Sequence, residues 1–321
     1  MKLWLRIAVS GGLLLLLLLF LPWDTARAAI GRLPFSLWMG ALAGFIAGHF
    51  LGVLKWRVLV NVDGGRPLRM LDAVRCYSAG LFANLCLPSI VGGDVLRAAL
   101  AARVTRSPEA AVLAGVVDRI IDVATLGLLI AVGGVFARDA IPAWGRGALT
   151  ISLLVVALIV VVFLPLLVRR PLEQWPRRFR RRIGRGLVAL RSVARNPGSA
   201  FISLTLSVII QSSFVLLNVA IGRAIGINVS LAVWFVVWPL AKVAGLLPIS
   251  LGGLAVRDAA FAALLVPLRV PVALGILASL VWQSVLIAGG LLAGAVWWII
   301  ARCDTAESRS TVNAVSPVAP G

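Results

Sequence analysis

Two stretches of the sequence place an arginine four residues after a Gly-Gly pair that itself follows a proline. The first runs from Leu87 to Arg97 and the second from Leu247 to Arg257, and both read Leu-Pro-x-x-x-Gly-Gly-x-x-x-Arg. Pro ends a helix, whereas Gly-Gly allows a tight turn and a close approach to a ligand. A helix that begins there favours anions at its N-terminus, and arginine makes bidentate contacts with phosphate. The candidate substrate-binding residues of the two stretches are Gly92, Gly93, Asp94, Arg97, Gly252, Gly253 and Arg257.

Further ionisable residues interrupt apolar segments. Asp118 and Asp122 are four residues apart and share one helix face, and Arg119 is spaced to pair with Asp122. Charges inside a span face the protein interior or a wet cavity. Together with Asp258, which follows Arg257, these three residues are candidates for gating or proton coupling. A purely structural ion pair is an alternative of equal weight.

Single polar residues allow more than one interpretation. Lys242 is the most isolated charge of the apolar segments and needs a partner or a phosphate, so we include it among the substrate-binding residues. Asp94 is favoured as a helix N-cap over a ligand contact. His49 is more easily explained as a helix-packing residue than as a functional one.

The composition identifies the class of protein. Of the 321 residues, 61% are hydrophobic and only 13% are charged, and the mean hydropathy is +1.03. Soluble domains are about 45–50% apolar and about 25% charged. We therefore predict an all-α polytopic integral membrane protein, and a soluble enzyme is excluded. The formal net charge of +19 leaves three explanations open, namely nucleic acid, an anionic membrane surface or membrane topology.

Six segments are long and apolar enough to span a bilayer, which takes about 20 residues. They are 7–23, 34–54, 111–136, 148–168, 199–221 and 272–300. Two further segments, 71–96 and 231–266, are interrupted by Pro and Gly-Gly and contain charges. Ala26-Arg27-Ala28 fits a signal-peptidase site, but the many later spans favour an uncleaved first helix over removal of residues 1–28.

The positions of the basic residues favour membrane topology as the explanation of the net positive charge. Loop 169–195 contains ten arginines and one acidic residue, Glu173, which makes it cytoplasmic by the positive-inside rule. If 71–96 crossed the membrane completely, this loop would be external. We therefore predict that 71–96 and 231–266 are re-entrant or broken helices that line protein or a cavity. On this count 22 basic residues are cytoplasmic, six are external and three (Arg119, Lys242 and Arg257) lie in the membrane.

The two Leu-Pro-x-x-x-Gly-Gly-x-x-x-Arg motifs are 160 residues apart, and the same offset relates the spans that flank them. Span 34–54 shifts to 194–214, which overlaps span 199–221, and span 111–136 shifts to 271–296, which overlaps span 272–300. An odd number of crossings between the copies makes them an inverted repeat, which in transporters places the binding site at the repeat interface near the midplane. We predict one transmembrane domain over 1–302, with halves at about 34–136 and 199–300, an Arg-rich loop at 169–198 and a disordered cytoplasmic tail at 303–321. Chance similarity is the alternative for the repeat.

The sequence resembles the transmembrane-region family of lysylphosphatidylglycerol synthases over roughly residues 5–300. The most specific part is the Pro-Ser-x-x-Gly-Gly-Asp block that begins at Pro88. The other residues that carry the resemblance are Trp56, Arg57, Asn84, Arg97, Asp118, Arg119, Asp122, Pro248, Ser250, Gly252, Gly253, Arg257 and Asp258. We expect the protein to lack the cytoplasmic aminoacyl transferase of the family's namesake, so the resemblance implies lipid translocation or lipid handling and not lysyl transfer.

These observations predict a flippase-like protein of the bacterial inner membrane with both termini in the cytoplasm. It would bind an anionic phospholipid or a polyprenyl-phosphate-type lipid at the repeat interface, and it would bind neither nucleic acid nor a cofactor. The first alternative is a non-transporting subunit that scaffolds or regulates an envelope-lipid enzyme. An integral-membrane transferase is disfavoured, because the sequence has no recognisable nucleophile or metal motif, and we therefore expect no enzymatic activity.

Overall fold

The computed structural model describes residues 31–63, 66–86, 92–138, 150, 196–245 and 254–315. Within these ranges the regular structure is entirely helical. The elements are α1 (Phe35–Val60), α2 (Met70–Cys86), α3 (Gly92–Thr105), α4 (Pro108–Phe136), α5 (Pro197–Ala224), α6 (Leu231–Ala244), α7 (Leu254–Leu265) and α8 (Val272–Val315), with short 3-10 turns at Asn61–Asp63 and Val266–Leu268. The predicted all-α class is confirmed for the described part of the chain.

Four of these helices are long and apolar enough to cross a membrane: α1, α4, α5 and the Val272–Cys303 part of α8. They coincide with four of the six predicted spans. The other two, 7–23 and 148–168, lie outside the described residues. Large apolar side chains such as Phe35, Phe136 and Phe201 are exposed on the outer surface of the bundle, as expected where a helix faces lipid.

Local sequence explains where α4 begins. The Ser107 hydroxyl accepts a hydrogen bond from the Ala110 backbone N–H (3.3 Å), and Pro108 occupies the first turn. Both residues are favoured there, since Ser satisfies an N–H that lacks a helical partner and Pro lacks an N–H of its own. Arg106, which has a φ of 56°, reverses the chain just before this cap.

Each interrupted segment forms two helices. Segment 71–96 is covered by α2 and the start of α3, and segment 231–266 by α6 and α7 with the first residue of the following 3-10 turn. The joining residues 87–91 and 246–253, which hold both prolines and the second Gly-Gly pair, are outside the described residues. The re-entrant path of these segments therefore stays a prediction.

The helices pack in matching pairs. α1 packs on α5, α2 packs on α8, and α6 packs on α4; in addition, α3 lies between α2 and α4 as α7 lies between α6 and α8. A shift of 160 residues relates α1, α2, α3 and α4 to α5, α6, α7 and α8, respectively. The contact of α2 with α8 then corresponds to that of α6 with α4, the contacts of α3 correspond to those of α7, and the contact of α1 with α5 corresponds to itself. The two sets of four helices are therefore arranged equivalently around a common interface.

Small residues allow the helices of the two sets to approach closely. A side chain at Gly48 of α1 would collide with Phe214 of α5, and one at Gly133 of α4 would meet Phe235 of α6. Small-x-x-x-small spacing favours close packing of this kind in membranes. The spacing of Gly44, Gly48 and Gly52 thus marks a packing face, with Gly44 against Leu217.

The last helix continues to Val315, where the sequence predicted a disordered tail over 303–321. Extension of an existing helix costs much less than nucleation of a new one. The residues that follow Ala301 include Ala, Glu and Arg, which have high helix propensity. The polar composition of this segment therefore does not require the helix to stop at the end of the apolar span.

Candidate functional site

A polar cavity of about 290 Å³ lies between the two sets of helices. Its size is at the lower end of the range for ligand pockets, about 300–1,000 Å³. All eight helices contribute to its wall. The charged residues that line it are Lys55, Asp94, Arg97, Asp118, Arg119, Asp122, Lys242 and Arg257. Most of the charged residues predicted from the sequence to be functional thus surround one cavity.

On the side of α1 and α4 the charges form a closed network. Lys55 Nζ lies 2.9 Å from Asp118 Oδ1 and 2.5 Å from Asp122 Oδ1. The Lys55 side chain is only 3% exposed and that of Asp118 only 8%. Desolvation of such a pair costs free energy that ion pairing must repay. Two carboxylates around one ammonium group provide this compensation.

Arg97 extends the network into α3. Its Nη2 lies 3.1 Å from Asp118 Oδ2 and 3.2 Å from Asp94 Oδ1. The guanidinium carbon also lies 4.8 Å from the ring centre of Trp56 and 5.1 Å from that of Tyr77, distances typical of cation–π contacts. Two carboxylates and two aromatic rings therefore already surround the charge of Arg97.

Asp94 is an ion-pair acceptor in this structure. It lies in the first turn of α3 and accepts hydrogen bonds from Arg119 through Nε at 2.7 Å, while Arg119 Nη2 lies 2.6 Å from the same oxygen. The predicted pairing of Arg119 with Asp122 is replaced by this bond to the neighbouring helix. The two residues remain on α4, but Asp122 points its carboxylate at Lys55 and at the Ser207 hydroxyl of α5, which donates at 2.7 Å.

On the side of α5–α8 the cations have fewer acidic partners. Lys242 Nζ donates to Gln211 Oε1 at 2.7 Å and lies 5.5 Å from the ring centre of Phe214. Within the described ranges, no carboxylate lies at ion-pair distance from Lys242. Among the described residues its direct partners are thus an amide oxygen and an aromatic face, and no carboxylate is in direct contact with it.

Arg257 occupies the position that corresponds to Arg97 under the 160-residue shift, with a single acidic partner. Its Nη2 lies 2.7 Å from Asp258 Oδ1 and donates to Gln283 Oε1 at 3.0 Å. Asp258 is thus the salt-bridge partner that its position beside Arg257 suggested. The guanidinium carbon lies 5.7 Å from the ring centre of Trp238, a contact that parallels the aromatic contacts of Arg97.

The Gly-Gly turn is used differently from the sequence-based expectation. The Gly93 backbone N–H donates to Asn84 Oδ1 at 3.1 Å, and a side chain at Gly93 would collide with Gly80 and Asn84 of α2. Neither Gly92 nor Gly93 lines the cavity. Gly93 therefore permits close packing of α2 on α3, and Asn84 occupies the N–H that was predicted to face a phosphate. Gly252 and Gly253 lie outside the described residues.

Two cations assigned to the cytoplasmic side by the crossing count are buried in the bundle. Lys55 and Arg97 are 3% and 5% exposed and line the cavity. The count missed Lys55 because α1 continues six residues beyond the predicted end at 54. It missed Arg97 because α3 continues to Thr105, so that Arg97 lies within this helix and not after the predicted end of the segment at 96. The acidic residues of α4 form ion pairs with both cations and thereby offset the cost of burying them.

His49 and Tyr77 add a polar pair to the cavity wall. His49 Nδ1 and the Tyr77 hydroxyl are 3.2 Å apart, and the imidazole ring centre lies 4.3 Å from that of Phe45. His49 thus packs between helices, as its sequence context favoured, and also lines the cavity. Gln211, Gln283 and Asn84 line the cavity as well.

Comparison with known proteins gives one match. The model of the family described as the lysylphosphatidylglycerol synthase TM region matches residues 3–294, a range that includes every charged residue of the cavity wall. No curated protein and no solved structure matches the chain.

Proposed function

Because the chain belongs to the lysylphosphatidylglycerol synthase transmembrane-region family, we propose that it is a lipid flippase of the bacterial inner membrane. In this proposal an anionic or phosphate-bearing lipid headgroup enters the cavity between the two sets of helices. The membrane class follows from the helices and the family, and lipid handling follows from the family. Lipid translocation, the identity of the membrane as the bacterial inner membrane and the identity of the headgroup are parts of the proposal.

One observation carries this proposal, namely a cavity lined by buried charged residues, whose wall includes a lysine with no acidic partner at ion-pair distance among the described residues. A charge inside a membrane protein is expensive, and it commonly marks a substrate or ion pathway. Lys242 retains N–H donors beyond the one that binds Gln211. Arg257, on the next helix, lines the same cavity. Together they offer a phosphate the donors that it needs.

The paired packing of the helices supports an inverted repeat. Alternating access in such transporters is a rocking of one repeat against the other around a site at their interface. The correspondence of α1–α4 with α5–α8 supports a location of the cavity at such an interface. Under the inverted arrangement, and with the Arg-rich loop 169–198 on the cytoplasmic side, both termini are cytoplasmic.

The network around Asp118 has the position that a gate requires. Asp118, Arg119 and Asp122 lie on α4 of one set, whereas the Ser207 hydroxyl that donates to Asp122 lies on α5 of the other. Movement of one set against the other would break this hydrogen bond. Proton coupling would act through the same carboxylates, and Asp258 would hold Arg257 in place on the opposite side. We propose these four residues, with Lys55, as the coupling and gating group.

The proposal is tested by reconstitution of the purified protein in lipid vesicles with a fluorescent phosphatidylglycerol. Reduction of the outer-leaflet fluorophore by dithionite reports how much labelled lipid has reached the outer leaflet. We expect protein-dependent movement that Lys242→Met abolishes, and that Arg223→Gln leaves intact as a charge-matched control at the exposed end of α5. Binding of the lipid without movement would instead favour a non-transporting subunit that assists an envelope-lipid enzyme. Absence of both would contradict the proposal.

A further inference from the structure

The charges around the cavity do not cancel. Five cations, Lys55, Arg97, Arg119, Lys242 and Arg257, contribute to its wall. Four carboxylates are paired with them, those of Asp94, Asp118, Asp122 and Asp258. The described site therefore has one positive charge in excess.

The residues between these helices in the sequence add no charge to this count. Segments 87–91 and 246–253, which lie between α2 and α3 and between α6 and α7 in the sequence, contain no ionisable side chain. The network of α1, α3 and α4 is neutral by itself, because Lys55, Arg97 and Arg119 are matched by Asp94, Asp118 and Asp122. Arg257 is matched by Asp258. The excess charge is consequently that of Lys242.

A cavity that has buried charges in its wall and one charge in excess selects its ligand by charge. Transfer of an ion from water is costly unless its charge is compensated inside the protein, and each additional uncompensated charge adds to this cost. A ligand with one negative charge makes the site neutral. A ligand with two negative charges leaves one of them buried without compensation.

From this balance we infer that the cavity is selective for a lipid phosphodiester, which has one negative charge, over a lipid phosphomonoester. The inference rests on the proposed function, because it specifies the headgroup that the same cavity binds. The phosphate lies between Lys242 and Arg257 and displaces no acidic residue from its partner. The amides of Gln211 and Gln283, whose oxygens already accept from these cations, present their N–H₂ groups to ester or headgroup oxygens.

Water-soluble lipid analogues test this selectivity with the intact protein in detergent. The diesters are dihexanoylphosphatidylglycerol and methyl farnesyl phosphate, and the monoesters are dihexanoylphosphatidic acid and farnesyl phosphate. Dihexanoylphosphatidylcholine is the analogue with no net charge. At pH 7 a phosphomonoester already carries about 1.5 to 2 negative charges, since its second pKa is about 6. We expect each diester to bind at least about tenfold more tightly than its monoester, and the tighter of the two diesters identifies the source as a glycerophospholipid or a polyprenyl-type lipid.

Two variants test whether the excess positive charge causes the preference for the diester. Lys242→Met removes the excess charge, and we expect diester affinity to fall more than about tenfold, whereas Arg223→Gln should leave it unchanged. Gln283→Lys adds a second excess charge beside Arg257, and we expect the preference to shift towards the monoester. Circular dichroism and the midpoint of thermal unfolding establish that each variant is folded.

The outcomes separate this inference from the proposed function. Equal affinity for diester and monoester, or a preference for the monoester in the wild-type protein, would overturn the charge selection and leave lipid binding intact. A preference for the diester that survives Lys242→Met would also overturn it. Binding of none of the anionic analogues would contradict the proposed function itself.

Discussion

Arg97 and Arg257 are 160 residues apart in the sequence and line the same cavity, but their acidic partners differ. Arg97 contacts both Asp94 and Asp118, whereas Arg257 contacts Asp258 and the amide oxygen of Gln283. The two positions correspond under the 160-residue shift, so the asymmetry comes from the residues around them. The first set of helices supplies three cations matched by three carboxylates, and the second supplies two cations with a single carboxylate partner among the described residues.

The Lys55 ammonium group is expected to be essential for stability. Replacement by Met leaves the buried Asp118 carboxylate with Arg97 alone and leaves Asp122 with only a serine hydroxyl. Removal of one partner from a buried ion pair typically costs about 3–5 kcal/mol. We expect Lys55→Met to lower the midpoint of thermal unfolding in detergent well below that of the wild-type protein.

The double variant Lys55→Met/Asp122→Asn serves as the control for this prediction. Because it removes one of the two carboxylates together with the cation, it should recover part of the lost stability. A single Lys55→Met variant as stable as the wild type would show that the network does not contribute to folding.

Asp118 and Asp94 are expected to differ in importance although both contact Arg97. The Asp118 side chain is 8% exposed and bridges Lys55 and Arg97, while that of Asp94 is 20% exposed and contacts Arg119, which is 42% exposed. Exposed ion pairs contribute little, about 0–1 kcal/mol. We expect Asp118→Asn to destabilise by about 3–5 kcal/mol and Asp94→Asn by much less in the same unfolding measurement. Equal losses would indicate that burial does not determine the contribution of each carboxylate.

These pairings show why the sequence predicts some features of the site and not others. The spacing within α4 correctly indicated that Asp118 and Asp122 share a face, because that depends only on helix geometry. It did not identify Asp94 as the partner of Arg119 or Lys55 as the partner of Asp118. Those contacts depend on how each helix is rotated and how closely its neighbours approach, which a single sequence does not encode locally.

The fold was predictable to a similar degree. Hydropathy located α1, α4, α5 and α8, and the Pro and Gly-Gly pattern located two interrupted segments. The role of Gly93 was not predictable, because a Gly-Gly pair is equally suited to a ligand turn and to close helix packing. The structure supports packing, since Gly80 of α2 lies directly against Gly93.

The packing role of Gly93 leads to a prediction with a matched control. A methyl group at this position would collide with the Gly80 carbonyl and the Asn84 side chain, while one at Gly115 of α4 would meet no atom within 4 Å. Overpacking typically costs about 1–3 kcal/mol, whereas Gly→Ala in an open helical position stabilises by about 0.4–1 kcal/mol. We expect Gly93→Ala to lower the unfolding midpoint and Gly115→Ala to leave it equal or higher. The reverse order would contradict the observed approach of α2 and α3.

An experimental structure of the protein in a phosphatidylglycerol nanodisc tests most directly whether an anionic headgroup occupies the cavity at Lys242, with the structure of Lys242→Met determined under the same conditions. We expect headgroup density within hydrogen-bond distance of Lys242 and Arg257 in the wild-type protein and loss of that density in the variant. A wild-type cavity without lipid density, or the same density in both structures, would contradict this expectation.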